Sequence, residues 1–66
     1  GQEKSSRDYF VEATKADPAS AKAFLNLAIV LARLEEDDQA VIAMRRAAQL
    51  GSAQAREALR ERGMSW

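Results

Sequence analysis

Between Ala21 and Gln54 two apolar stripes flank a run of four acidic residues, Glu35, Glu36, Asp37 and Asp38. Phe24, Leu27, Ala28 and Leu31 recur at helical spacing before the run, and Ala40, Met44, Ala47 and Ala48 recur after it. The pattern predicts two antiparallel helices joined by an acidic turn. Helix two is expected from Ala19 or Ser20 to Leu34 and helix three from Asp38 to Leu50. Between Ala23 and Leu34 only Asn26 and Arg33 are polar, the profile of a helix covered on more than one face. Phe24, Leu27 and Leu31 would face helix three. Leu25, Ile29 and Val30 are then left to meet helix one, helix four or a partner.

Two shorter helices are predicted on either side. Tyr9, Phe10 and Ala13 form a narrow apolar face from Ser5 to Ala16, with Ser5 as a cap and residues 1–4 read as disordered or, at Gly1, a remnant of tag cleavage. Asp17 and Pro18 end that helix, because a residue before proline is driven out of the helical region. After helix three, Gly51 supplies the left-handed residue of a helix terminus and Ser52 caps a fourth helix, Ala53 to Arg62. Ala55, Ala58 and Leu59 are its apolar side, and Arg56, Glu57, Arg60, Glu61 and Arg62 lie elsewhere. This is the profile of a terminal lid, apolar inside and charged outside. The tail, residues 63–66, carries Trp66, which either folds back over helix three or four or docks on a partner. Folding back is favoured, since a free indole adds an exposed apolar patch.

Composition narrows the chemistry. At 66 residues the chain makes one small domain, and folding at this size buries only about 60% of the unfolded surface. Ten Lys and Arg balance ten Asp and Glu, so a nucleic-acid or anionic-membrane partner is not indicated, and Arg45 and Arg46 read as a solvated face. With neither Cys nor His there is no disulfide, no usual zinc or haem ligand and no common nucleophile–base pair. No spacing brings a Ser, Asp, Glu, Lys or Tyr into a recognisable catalytic pair, so an enzyme is not expected. The acidic run lacks the glycine-containing, oxygen-rich loop of a calcium site, and no metal or cofactor is expected. The apolar run of helix two falls short of the roughly 20 residues that span a bilayer. No signal segment opens the sequence, and a reducing cytoplasmic setting is expected.

The helix pair resembles the tetratricopeptide repeat, a helix-turn-helix unit of about 34 residues that stacks into solenoids. Phe24, Leu27, Ala28 and Leu31 fall where the family has a large aromatic, a Leu, a small residue and a bulky residue. Ala40, Met44 and Ala47 match its second helix. In the same frame Ser6, Phe10, Ala13, Asp17 and Pro18 resemble the closing half of a preceding repeat, and helix four resembles a capping helix. Two positions depart from the pattern: Glu35 stands where a Gly is usual, and Gly51 and Ser52 replace an Asp-Pro pair. The segment from Ala47 to Ala55 is also similar to the related Sel1-like repeat.

The resemblance implies an all-α fold, a four-helix right-handed α-solenoid fragment of antiparallel helix hairpins. It implies a binding module for a protein or peptide, the last repeat and cap of a longer scaffold. By resemblance Lys22, Leu25, Asn26, Ile29 and Arg33 line its inner surface. Asn26 either contacts a ligand or hydrogen-bonds a neighbouring turn, and Leu25 and Ile29 are either exposed to a partner or covered by helix one or four. The alternative function is a structural one, a homodimer formed through the apolar side of helix two.

Overall fold

The computed structural model describes the backbone of residues 2–66 and the side chains of residues 7–66. Among the described residues the chain is all-helical, with α1 at Gln2–Ala16, α2 at Ala21–Arg33, α3 at Asp37–Gln49 and α4 at Ala53–Glu61. Helix α1 thus starts before Ser5, the start expected from the sequence. Gly1, read as a tag remnant, and the Ser5 side chain, read as a cap, lie outside the described residues.

The starts of α2 and α4 are set by serine. Ser20 Oγ accepts from the Ala23 N–H and Ser52 Oγ from the Ala55 N–H, each at 3.1 Å, which satisfies a donor that the first helical turn leaves unpaired. Between α1 and α2 the Asp17 side chain folds over the turn, accepting from the Ala19 N–H at 3.2 Å. Helix α3 begins differently. Its N-cap, Glu36, makes no side-chain capping bond, and Asp37 and Asp38 supply negative charge to the first turn instead. The Glu36 carboxylate reaches outward to Arg7 of α1, accepting from Nη1 at 2.8 Å. Both groups are partly exposed, so the pair contributes at most about 1 kcal/mol; its effect is to tie α1 to the turn between α2 and α3.

Helices α2, α3 and α4 end on one repeated geometry. In each, two N–H groups beyond the cap turn back onto the last carbonyls: Glu35 to Ala32 and Glu36 to Leu31, Gly51 to Ala48 and Ser52 to Ala47, Gly63 to Arg60 and Met64 to Leu59. The geometry requires a left-handed residue. Gly51 and Gly63 fill that position with φ of 105° and 71°, whereas after α2 it falls to Glu35, with φ of 60°. A left-handed residue with a Cβ costs about 1–2 kcal/mol. Glu35 thus takes the left-handed position that glycine holds after α3 and α4.

The helices pack in chain order, α1 on α2, α2 on α3 and α3 on α4. Two apolar clusters result. Leu27, Ala28 and Leu31 of α2 meet Ala40 and Ala43 of α3, with Phe10, Val11 and Met44 packed against them. Ala47 and Ala48 of α3 meet Ala55 and Leu59 of α4, joined by Phe24, Leu25, Met44 and Met64. The inner side of α3 is alanine along its length, and small side chains let neighbouring helices approach closely. The assembly is a slab with Cα extents of 33 × 25 × 14 Å, so its helices keep broad open faces.

The inward face of α1 differs from the one expected. Phe10 and Val11 pack against the first cluster and Thr14 is buried, while Tyr9 is 69% exposed. A threonine can lie inside here because its hydroxyl donates to the Val11 carbonyl at 2.7 Å, leaving no unmet polar group.

Replacing Glu35 with Gly should remove the left-handed penalty without removing a contact. After the extra unfolded-state entropy of glycine is subtracted, a gain of about 0.5–1 kcal/mol is expected in urea unfolding at unchanged m-value. Leu59 is the largest fully buried side chain, at 1% exposure. Leu59→Ala, and Leu27→Ala in the other cluster, should each cost about 2–5 kcal/mol. An unchanged midpoint for either would show that the two-cluster core is misassigned.

Candidate functional site

An apolar concavity lies between α2 and α4, with α3 as its base. Ala28, Ile29, Ala32 and Arg33 form one wall, Ala58, Leu59 and Arg62 the other, and Ala40, Val41 and Met44 the base, enclosing about 320 Å³. The groove exists because its walls and base are rich in alanine. Ala28, Ala32, Ala40 and Ala58 leave unfilled the space that larger side chains would occupy, and α2 and α4 reach each other mainly through α3.

Its electrostatics are one-sided. Arg33 and Arg62 are the charged residues lining the groove, both exposed, and no acidic side chain lines it. Each Arg sits at the C-terminal end of its helix, where a cation complements the partial negative charge of the last carbonyls. Among the described residues neither has a carboxylate within ion-pair distance, and in the acidic turn Glu36 is held by Arg7 on the other side of α2.

Of the five residues expected on the inner surface, Ile29 and Arg33 line this groove. Ile29 is 42% exposed; Ile42 of α3, which does not line this groove, is 63% exposed. Leu25 lies one turn earlier and packs against the cluster of Ala47, Ala48, Ala55 and Leu59, a contact within the monomer. Lys22 is exposed near the start of α2 and Asn26 is half-buried; neither lines the groove. The residues that sequence reasoning missed are Val41 and Met44 on the base and Ala58 and Arg62 on the far wall. The spacing in α4 predicts a lid with a charged exterior, and nothing in it says that Arg62 borders the same hollow as Arg33.

The tail leaves the groove open. Met64 packs against the second cluster, the Trp66 carbonyl accepts from Gln49 Nε2 at 3.2 Å, and the Arg56 guanidinium lies 5.3 Å from the centre of the Trp66 ring. Arg56 Nε also donates to the Ala48 carbonyl at 3.0 Å, so one side chain satisfies the end of α3 and holds the indole against α4. Trp66 remains 42% exposed, folded back along the outer edge.

Among the described residues no three His, Cys, Asp or Glu side chains converge as a metal site, and no helix is long and apolar enough to cross a membrane. No family model matches the chain, and no curated protein or solved structure matches it.

Proposed function

We propose that this domain is a protein-interaction module that holds a protein or peptide partner over the exposed side of α2, in the groove between α2 and α4. The observation that carries this reading is Ile29, a large aliphatic side chain left 42% exposed in an apolar concavity lined by few polar groups. Burying such a side chain fully is worth about 1.5–3 kcal/mol, an appreciable part of a modest binding energy.

The tetratricopeptide-like reading belongs with this proposal. Packing in chain order and recurring left-handed helix ends suit a right-handed solenoid fragment, and in such an array the groove between alternate helices is the inner surface. Tyr9, exposed on α1, would be covered by a preceding helix of the stack. Self-association through the apolar side of α2 has less surface to use. Leu27 and Leu31 are buried and Leu25 packs inside, leaving Ile29 as the exposed large residue of that helix.

Ile29→Asp tests the assignment, because an exposed wall position should accept a charge without loss of the fold. Helicity by circular dichroism should be unchanged, while proteins cross-linked to the wild-type domain through a photoreactive residue at Val41 should no longer be captured. Equal capture by the variant would remove the groove as the binding surface.

A further inference from the structure

Helix α4 is held by few contacts of its own. It has nine residues, short of the roughly 12–15 below which an isolated helix is marginal in water. Its main packing is on α3, and to that contact it brings two buried side chains, Ala55 and Leu59. Helix α2 brings Leu27, Ala28 and Leu31 to the first cluster and has α1 packed against it as well. The turn before α4 is open on its outside: Gly51 has φ of 105°, and a Cβ placed there would meet no atom within 4 Å. A short helix joined to its neighbour by one leucine and one alanine, behind a turn without side-chain packing, has the character of a segment that opens before the rest of a domain.

The tail adds ties that α4 lacks. After Gly63 the chain turns back along α4, with the Met64 N–H donating to the Leu59 carbonyl at 2.8 Å and the Met64 side chain against the cluster of Ala47, Ala48, Ala55 and Leu59. It reaches Trp66, whose ring faces the Arg56 guanidinium at 5.3 Å and whose carbonyl accepts from Gln49 Nε2 at 3.2 Å. Arg56 Nε donates in turn to the Ala48 carbonyl at 3.0 Å. Arg46 Nη1 donates to Gln49 Oε1 at 3.4 Å while its guanidinium lies 6.0 Å from the centre of the Phe24 ring. Gln49 thus joins the tail to α3 and, through Arg46, to α2, while Arg56 joins it to α4. Trp66 and Gln49 are both exposed, so these ties compete with water and can be released.

We propose that α4 and residues 63–66 form a latched flap, which undocks from α3 as one unit about the turn at Gly51 while α1, α2 and α3 stay packed, and that Trp66 is its latch. The consequence falls on the groove. Ala58, Leu59 and Arg62 are its far wall, so the groove exists only while the flap is closed. A molecule that fills the groove and touches that wall holds the flap shut, and one that draws Trp66 away from Arg56 and Gln49 lowers the groove-bearing population. The inference concerns the wall of the groove and does not depend on what the groove takes.

Native-state amide exchange on the whole 66-residue chain, followed in rising sub-denaturing urea, reads the opening directly. The amides of Leu59 and Arg60 should exchange at least about tenfold faster than those of Leu31 and Ala43. Their urea slope should also be smaller, since the flap exposes a fraction of the surface that global unfolding exposes. Trp66→Ala should speed exchange at Leu59 and Arg60 a further two- to fivefold or about that, with the small slope retained, and Gln49→Ala should act in the same direction. Trp66→Phe, which keeps a ring face for Arg56, should restore most of the protection. Both replaced residues are exposed, so helicity should stay intact in each variant. Exchange at Leu59 and Arg60 with the rate and slope of Leu31 and Ala43 would overturn the proposal, because α4 would then open only with the whole domain. A separate low-slope opening that Trp66→Ala leaves unchanged would overturn it too, because the tail would then hold nothing.

Discussion

Close packing on the alanine face of α3 is the constraint on which the rest depends. Ala40, Ala43, Ala47 and Ala48 are all buried on this helix, and α2 and α4 both lean on it. Alanine allows the approach and loses no side-chain entropy in doing so, but each contact contributes little apolar area. Stability then concentrates in the few leucines that reach across, Leu27 and Leu31 from α2 and Leu59 from α4. Small residues on the facing walls also leave the space between α2 and α4 unfilled. Core and groove are thus two results of one choice of side chain.

The ends of the helices carry out a second, more local task. A chain this short cannot leave many polar groups unmet, and the serines at positions 20 and 52, the left-handed residues at 35, 51 and 63, and the Arg56 side chain satisfy them in sequence. This exactness of capping holds short helices in register where isolated ones would be marginal. It also aligns the last turns of α2 and α4, and so brings Arg33 and Arg62 to one end of the hollow.

The apolar excess of α2 is shared unevenly among its neighbours. Leu27 and Leu31 are buried in the first cluster, which Phe10 and Val11 of α1 help to cover, and Phe24 and Leu25 join the second. Ile29 remains. The proposed interaction role rests on that exposure.

Helix number, the apolar stripes and the stops at Pro18 and Gly51 were legible in the sequence because they are set by neighbours three or four positions away. The glycine-less turn at Glu35 was legible only as a departure, since its left-handed backbone depends on how α3 folds back. Helix faces are less legible: Tyr9, expected inside, is exposed, and Thr14 is buried because its hydroxyl bonds its own helix, a bond that no pattern of hydropathy records. Of the inner-surface residues, Ile29 and Arg33 could be found from α2 alone. Their companions Val41, Met44 and Arg62 could not, since a groove is made by the distance between helices, and that distance was decided by alanine packing in three dimensions.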